Sequence, residues 1–228
     1  MACEGFKSRP KRDQEVRGKF ISFEGPEGGG KSTHVKALAE ALRAEGKSVL
    51  VTREPGGTRL AELVRGLVRE EVEDPPVTRS EVLLFLAARA QVVANVIRPA
   101  LARGEWVICD RFADSTFAYQ GYGRGIDVAL LRQLNDFATE GLVPDLTILL
   151  DVPPETSRAR LAERQAATAT TADRIERAGD AFHRRLRDGF LEMAKNEPNR
   201  FVVIDSSGDC DEVSSKVLSA VQNLIVKN

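Results

Sequence analysis

A cluster of glycines with one lysine and one serine follows the first predicted strand, in the stretch FEGPEGGGKSTHV at residues 23–35. From Gly25 to Ser32 the residues match G-x-x-x-x-G-K-S, and helical periodicity begins at Lys31. Glycines let several backbone N–H groups converge on one phosphate at the positive end of a helix dipole. In such a loop Lys31 reaches the β and γ phosphates of a nucleotide, and the Ser32 hydroxyl binds Mg²⁺. The alternative is a glycine-rich turn that only joins a strand to a helix.

A second polar cluster closes the third predicted strand, in the stretch CDRFADSTFAYQGYGRGID at 109–127. Ligands of open α/β sheets collect beyond the carboxyl ends of the strands, so we expect Asp110 and Arg111 at the same edge as the phosphate loop. Asp110 suits the Mg²⁺ shell, directly or through water, and Arg111 suits bidentate phosphate binding. A salt bridge between the two at the sheet edge is the alternative. Further polar groups and one ring follow within about two helical turns: Ser115, Thr116, Tyr119 and Gln120.

An aromatic residue and an arginine share the apolar face of the predicted helix 78–103. Phe85 and Arg89 are four residues apart, which places them on one side of a helix. An arginine on such a face needs an anion, a carbonyl or a ring to meet it. An interhelical salt bridge would satisfy it. A flat base stacked on Phe85, with Arg89 as a fork-shaped donor beside it, would do so as well.

The stretch TREPGGTRLAELVR at 52–65 follows the second predicted strand. Pro55 and the two glycines after it enforce a turn, after which Thr58 can cap a helix. Glu54 and Arg65 are then able to face the same cleft. As isolated charges they would instead belong to the solvated surface.

Short apolar segments rich in β-branched residues alternate with segments of 3.6-residue periodicity. Continuous apolar runs of this length are typical of buried parallel strands. Strands are predicted at 19–24, 48–52, 105–110, 146–152 and 200–205. Helices are predicted at 31–45, 58–72, 78–103, 127–140, 154–164, 174–195 and 210–226. The alternation predicts an α/β fold with right-handed βαβ crossovers and a sheet covered on both faces.

Composition limits the kinds of partner. The 228 residues include 33 Lys plus Arg and 34 Asp plus Glu, so no nucleic-acid-binding surface is expected. Three cysteines and two histidines without metal-ligand spacing favour a reduced, cytoplasmic protein. Apolar runs stay shorter than the roughly 18 residues of a transmembrane helix, so no membrane span is expected. Residues 1–18 are predicted to form a polar, disordered tail, and 19–228 a single domain.

Six segments, taken in order, resemble the landmarks of thymidylate kinases: FEGPEGGGKST, TREPGGT, LLFLAARAQ, DRFADSTFAYQGYGRGID, LVPDLTILLDV and DRIE. The resemblance extends over about residues 19–226. It implies ATP- and Mg²⁺-dependent phosphorylation of dTMP to dTDP in dTTP synthesis. It also implies the P-loop nucleoside monophosphate kinase fold, a five-stranded parallel sheet with helices on both faces, a mobile lid at about 157–177, and a homodimer.

The resemblance assigns the ATP phosphates to the loop. The implied ATP-binding residues are Gly25, Pro26, Glu27, Gly28, Gly29, Gly30, Lys31, Ser32 and Thr33. Glu27 resembles the acidic residue that contacts the dTMP 3′-hydroxyl or the metal, and Asp110 joins Ser32 as a metal ligand. One class of the family takes a further catalytic cation from the loop and another takes it from the lid. Because position 28 is glycine and the lid is rich in arginine, the chain resembles the bacterial lid-arginine class, with Arg160 and Arg164 as the preferred candidates.

On the acceptor side, the resemblance implies that Phe85 stacks on thymine and that Arg89 bonds its exocyclic oxygen. Arg111 and Arg65 would hold the dTMP phosphate, with Arg111 also catalytic beside Lys31 and Glu27. Tyr119 resembles the residue that crowds the ribose 2′ position, which would favour deoxyribose. The remaining implied pocket residues are Glu54, Ser115, Thr116 and Gln120.

Two features depart from the family pattern, and two other functions stay open. The small-residue run QAATATTAD at 165–173 makes the lid long and is not expected to hold a strong helix, and Phe112 stands where a tyrosine or histidine is frequent. Another P-loop nucleotide or deoxynucleoside kinase would need a different base pocket. A nucleotide-switch ATPase would have no use for that pocket or for an arginine-rich lid that shields the donor from water.

Overall fold

A five-stranded parallel sheet forms the centre of the molecule. The computed structural model describes residues 18–69, 73–168 and 178–226. The strands lie in the order β2-β3-β1-β4-β5, and every neighbouring pair is parallel. Their bounds are β1 Phe20–Glu24, β2 Val49–Arg53, β3 Trp106–Asp110, β4 Leu146–Asp151 and β5 Phe201–Asp205. The predicted α/β fold and its strand positions are confirmed to within a residue at each end.

Helices connect successive strands and cover the sheet. The α-helices are α1 Lys31–Ala44, α2 Arg59–Arg69, α3 Thr78–Val92, α4 Arg98–Ala102, α5 Ala113–Thr116, α6 Val128–Thr139, α7 Pro154–Thr168, α8 Asp180–Asn196 and α9 Cys210–Val226. Two π-helical segments, Val93–Ile97 and Phe117–Gly123, continue α3 into α4 and extend α5. The helical stretch 113–123 was not predicted. It is buried almost all round, so its sequence lacks the 3.6-residue alternation that marks a helix with one solvent face.

The two faces of the sheet carry separate hydrophobic cores, because successive strand residues point to opposite sides. Phe20 of β1 packs into the core formed with α3 to α6 and α8. Its neighbour Ile21 packs into the core formed with α1 and α9. Strand β1 lies between β3 and β4, so the connection that leaves β1 and the connection that leaves β3 lead towards opposite edges of the sheet. The carboxyl ends of β1 and β3 therefore open into the crevice where such folds bind ligands.

The helical stretch Thr78–Ala102 is long and apolar enough, by length and composition alone, to cross a membrane; its most apolar window of 18 residues has a mean hydropathy of 1.5. In this fold 44% of that window is buried inside the molecule. It also carries the buried charged residues Glu81 and Arg89. It therefore serves here as a core helix of the α/β domain.

Several predictions extend beyond the described residues. The predicted tail, apart from Gly18, lies outside them, as do residues 169–177 of the predicted lid with Arg174 and Arg177. Helix α7 continues to Thr168, four residues into the run that was not expected to hold a strong helix. Alanine accounts for this continuation, because it has the highest helix propensity and α7 already extends up to the run. The domain boundaries stay predictions.

Candidate active site

A cavity of about 570 Å³ opens at the carboxyl edge of the sheet. The phosphate loop, the ends of β2 and β3, and helices α3 and α7 surround it. It brings together every predicted site residue except Gly25, Pro26 and Gly29, which form the body of the loop. The predicted residues at its wall are Glu27, Gly28, Gly30, Lys31, Ser32, Thr33, Glu54, Arg65, Phe85, Arg89, Asp110, Arg111, Ser115, Thr116, Tyr119, Gln120, Arg160 and Arg164.

The loop between β1 and α1 needs its glycines for two physical reasons. Gly28 and Gly30 have φ angles of 72° and 83°, which L side chains rarely adopt. A Cβ at Gly25 would lie 2.4 Å from the carbonyl oxygen of Leu150. The loop therefore folds tightly against β4 and carries no side chain at its closest approach.

Lys31 turns back onto this loop. Its Nζ donates to the carbonyl oxygens of Gly25 at 3.0 Å and of Pro26 at 2.6 Å. Burial, with a further contribution from Arg111, lowers the pKa of Lys31 to about 8. A phosphate entering the loop would replace neutral carbonyls by a negatively charged acceptor, which makes stronger hydrogen bonds with an ammonium group.

Ser32 and Asp110 meet at the mouth of the loop. The Ser32 hydroxyl donates to Oδ2 of Asp110 at 2.7 Å, although 78 positions separate the two residues. Among the described residues there is no group of three or more His, Cys, Asp and Glu side chains that would hold a metal by themselves. One carboxylate and one hydroxyl suit Mg²⁺, which keeps several waters and completes its shell with substrate phosphates.

Arg111 occupies a strained position directly after β3. Its φ angle is 70°, and the left-handed conformation costs a non-glycine residue about 1–2 kcal/mol. Its guanidinium pairs with Glu27 at 2.8 Å and donates to Ser115 Oγ and Gly25 O, each at 3.1 Å. The salt bridge between Asp110 and Arg111, which the sequence left open as an alternative, is not among the ion pairs of the described residues. Arg111 pairs instead with the phosphate loop.

Glu27 is the acidic partner in this cluster. The Tyr119 hydroxyl lies 2.7 Å from both of its carboxylate oxygens. Burial alone would raise the pKa of Glu27, but the charges of Arg111 and Lys31, with the Tyr119 hydrogen bond, hold it below its usual value. Burial also raises the pKa of Tyr119 well above its usual value. Glu27 is therefore an ionised acceptor, and Tyr119 stays protonated and donates.

The side of the cavity predicted to hold the base is organised around Arg89, which is 2% exposed. Its Nε donates to Glu54 Oε2 at 2.7 Å and its Nη2 to the Phe112 carbonyl at 3.1 Å. Its Nη1 donates to Thr116 Oγ1 at 3.0 Å and Asn135 Oδ1 at 3.1 Å. The arginine thus has a buried ion pair and also lines the cavity beside half-buried Phe85. Burial raises the pKa of Glu54, and Arg89 opposes that shift.

Residues that the sequence reasoning missed hold this side in place. Asn135 of α6 accepts from Arg89, and Glu81 of α3 accepts from the Gln120 amide at 2.8 Å. Glu81 also pairs with Arg124 at 3.3 Å and is itself fully buried. A buried carboxylate on an apolar helix face is a signal that would have pointed to Glu81. Asn135 gives no such signal in the sequence, because polar residues are common on a helix that has one solvent-exposed face.

Helix α7 closes the cavity on the lid side. Ser157 Oγ donates to the Glu27 carbonyl at 2.6 Å. A Cβ at Gly28 would lie 2.7 Å from the Ser157 carbonyl oxygen. Arg160 donates to the carbonyls of Ser206 at 2.8 Å and Ser207 at 3.2 Å, and Arg164 lines the cavity. Since α7 presses against position 28, the loop has no room there for an arginine.

Comparison with known proteins identifies the family. The model of the family described as thymidylate kinase matches residues 23–217, which is most of the chain. The chain belongs to the thymidylate kinase family. Its resemblance to that family, predicted from six motifs, is confirmed.

Curated relatives and a solved structure agree over nearly the whole length. A thymidylate kinase from Geotalea uraniireducens is 46% identical over 90% of this chain and 96% of its own length. One from Deinococcus radiodurans is 50% identical over 90% of this chain and 97% of its own. The crystal structure of thymidylate kinase from Ehrlichia chaffeensis superposes with a TM-score of 0.72 and 36% identity, covering 90% of this chain and 99% of that one. The fold is therefore that of a P-loop nucleoside monophosphate kinase, and the chain is a kinase rather than a nucleotide switch.

Proposed function

We propose that the main cavity is where ATP phosphorylates dTMP, with ATP on the loop side and dTMP between α3 and the segment after β3. Membership of the family supplies the reaction and the phosphate donor. One observation supports the location most directly: Lys31 and Arg111 both donate to the carbonyl oxygen of Gly25, at 3.0 and 3.1 Å. Two cations from different elements thus lie at one point, where the charges of two phosphates would have to be neutralised.

Phosphoryl transfer needs in-line alignment of donor and acceptor and neutralisation of charge, with little covalent work from the protein. In the proposed mechanism Lys31 leaves the Gly25 and Pro26 carbonyls and binds the transferred phosphoryl group. The backbone N–H groups of 25–33 hold the rest of the triphosphate. Ser32 and Asp110 would hold Mg²⁺, which supplies positive charge to the phosphate oxygens.

The acceptor is proposed to bind by its phosphate and by its base. Arg111 and Arg65 would hold the phosphate, and Arg65 now donates to the Pro55 carbonyl at 3.1 Å, at the edge of the cavity. Phe85 would stack on the thymine. Arg89 would present its guanidinium edge to an exocyclic oxygen of the base, with Glu54, Ser115, Thr116 and Gln120 around the nucleoside.

Glu27 and Tyr119 are proposed to recognise the sugar. The phenol and the carboxylate are already hydrogen-bonded at 2.7 Å, so their positions are mutually fixed. Glu27 would accept from the 3′-hydroxyl or bind the metal. Tyr119 would occupy the space that a ribose 2′-hydroxyl requires.

Arg160 and Arg164 are the proposed lid cations. Arg160 is half-buried and bonded to the loop after β5, whereas Arg164 is exposed and lies at the cavity wall. The two positions differ by four residues and share one face of α7. Separate alanine variants would decide which one stabilises the transferred phosphoryl group, since only that one should reduce kcat strongly.

A homodimer is the proposed assembly. Three leucines lie along one face of α2, at a spacing of three and four residues. Their exposed fractions are 44% for Leu60, 62% for Leu63 and 51% for Leu67. Leu83 of α3 and Phe137 of α6 are 60% and 83% exposed; α3 packs beside α2, and α6 packs beside α3. Exposed apolar surface of this extent is typical of an interface. In light scattering the wild type should be a dimer and Leu63→Glu a monomer. A monomeric wild type would contradict the proposal.

The function is tested by ADP release with ATP and Mg²⁺, first without an acceptor and then with dTMP, dUMP, the ribo form of TMP, dCMP and AMP. We expect dTMP to raise ADP release by orders of magnitude over the no-acceptor rate. Equal ADP release without any acceptor would exclude the proposed dTMP site.

Two further predictions concern partners and location. The protein is not expected to bind nucleic acid, which a gel-shift assay would test. It is expected in the cytoplasm, which fractionation of cells expressing the full chain would test.

A further inference from the structure

Glu24, the last residue of β1, is a fully buried carboxyl group that the proposed mechanism does not use. It lies directly before the phosphate loop but does not line the cavity. None of the ion pairs among the described residues includes it. A buried carboxyl group without a direct cationic partner is costly, so its retention calls for a physical reason.

Both oxygens of Glu24 are occupied by groups that flank Arg111 on its C-terminal side. Oε1 accepts from the Phe112 backbone N–H at 2.7 Å. Oε2 accepts from the Ser115 hydroxyl at 2.6 Å. Although 88 and 91 positions separate these partners from Glu24, a single side chain ties the end of β1 to the turn after β3.

The first bond acts on the backbone of Arg111. The peptide group between Arg111 and Phe112 is held from two sides, since the Cys109 thiol donates to its carbonyl at 3.0 Å and Glu24 accepts from its N–H. On the other side, the Arg111 N–H donates to the Phe23 carbonyl at 2.9 Å. These bonds oppose the relaxation of a residue whose φ angle is 70°.

The second bond acts on the side chain of Arg111. A serine hydroxyl has one hydrogen, and here it is donated to Glu24. The Ser115 oxygen therefore presents a lone pair to Arg111 Nη1, which donates to it at 3.1 Å. The carboxyl group thus sets the direction of the hydroxyl, and the hydroxyl orients the guanidinium.

We propose that Glu24 is a positioning residue for the acceptor phosphate: it holds Arg111 in its left-handed conformation and, through Ser115, aims the guanidinium into the cavity. The inference rests on the proposed function, because it takes Arg111 to be the group that binds the phosphate of dTMP. Glu24 does not line the cavity, and it acts on Arg111 through the backbone of Phe112 and through the Ser115 hydroxyl.

Two accepted hydrogen bonds belong to the ionised form of Glu24, and they work against the effect of its burial. Burial and the nearby Asp114 carboxylate raise the pKa of Glu24 to about 8, while Ser115, Arg111 and the Phe112 N–H oppose the shift. A group placed there for stability alone would be better replaced by an apolar side chain of similar size. Compared with an apolar side chain, a carboxyl group at this position adds two hydrogen bonds to the turn that follows Arg111.

The test compares binding of dTMP with binding of thymidine, which lacks the phosphate, by calorimetry on the full chain at a pH above about 8, where Glu24 is ionised. Glu24→Gln keeps the size but has one acceptor oxygen, so its amide N–H must face Phe112 N–H or reverse the Ser115 hydroxyl. We expect the Kd for dTMP to rise about tenfold, the range of one hydrogen bond to a charged group, and that for thymidine to change less than twofold. An equal loss for both ligands, or no loss for dTMP, would overturn the proposal.

Two controls separate positioning from general damage. In an Arg111→Ala background, Glu24→Gln should cause no further loss of dTMP affinity, because its effect passes through that arginine; additive losses would contradict the proposal. Asp114→Asn removes another buried carboxylate, one that pairs with Arg200 at 2.6 Å. It should lower thermal stability without a selective loss of dTMP affinity. A selective loss of dTMP affinity in this variant would show that the effect is not specific to Glu24.

The outcomes also distinguish this inference from the proposed function. If the wild type fails to bind dTMP, the proposed function fails. If the wild type binds dTMP and Glu24→Gln binds it equally well, only the role of Glu24 is wrong.

Discussion

The acceptor side and the lid side of the cavity are built differently. On the acceptor side Arg89 is 2% exposed and makes four side-chain hydrogen bonds to groups on three other segments. On the lid side Arg158 pairs with Asp180, the two side chains being 48% and 58% exposed, and Arg160 bonds mainly to backbone carbonyls. Buried side-chain networks keep one geometry, whereas exposed ion pairs contribute little to stability and separate easily. The groups proposed to bind the base and the acceptor phosphate are thus held in place before a ligand binds, whereas the exposed contacts of the proposed lid would cost little to break.

The two sides meet at the phosphate loop. Ser157 donates to the Glu27 carbonyl, and Glu27 in turn pairs with Arg111. The same contact leaves no space for a side chain at Gly28. The packing of α7 on the loop therefore supports the proposal that a further catalytic cation comes from the lid.

The largest expected effect is at the junction of the two sides. Lys31→Ala should lower kcat by a factor of at least about 10²–10³, the loss found when a preorganised charge-stabilising donor is removed. Because the hydrogen bonds of the Lys31 side chain in the described part of the chain go to loop carbonyls, the fold should persist, which circular dichroism and a thermal melt would check. Lys36→Ala, an exposed lysine on the same helix, is the matched control and should retain full turnover. Full turnover of Lys31→Ala would exclude the assignment of the phosphate loop.

Arg89→Ala tests the buried acceptor side. It leaves the Glu54 carboxylate buried without its partner, so unfolding free energy should fall by roughly 3–5 kcal/mol, as when one member of a buried ion pair is removed. Affinity for dTMP should fall while affinity for ATP changes little, measured by calorimetry. Adding Glu54→Gln should restore part of the stability but not the dTMP affinity. Recovery of both would mean that Arg89 only supports the fold.

The pH dependence of stability should reflect Glu24. Its pKa is about 8 in the folded state and near 4.5 when unfolded, so the folded state binds the extra proton between these values. Stability is therefore fully present below pH 4.5 and is lost as the pH rises through about 8. The charges that face Glu24 are Asp114, Arg111 and Lys31. Melting temperatures from pH 5 to 9 should fall less in Glu24→Gln than in the wild type; parallel curves would contradict this assignment.

The smallest expected effect is on the lid side. Ser157→Ala removes one hydrogen bond from α7 to the loop, worth about 1 kcal/mol, or a factor of about five. The loss should appear in kcat and in the KM for ATP, with the KM for dTMP unchanged. A larger effect on dTMP than on ATP would show that the lid contact also orders the acceptor side.

Much of the fold and of the cavity wall was predictable from the sequence. Strand positions follow from short apolar runs, and the loop from glycine spacing, because both depend on local chemistry. The turn that places Ser115, Thr116, Tyr119 and Gln120 was not predicted as a helix, since a segment buried all round shows no periodicity. The partners of Arg89 were also out of reach, because Glu54 and Asn135 come from segments 35 and 46 positions away.

The sequence by itself determined the family, the order of strands and helices along the chain, and the chemical types available at the carboxyl edge of the sheet. Those depend on residue types and on spacing over a few turns of chain. Only the tertiary structure decided that Glu24 supports Arg111, that Arg89 is saturated by distant partners, and that α7 closes position 28. Each of these is a contact between segments far apart in the chain, and its geometry depends on how the strands and helices pack.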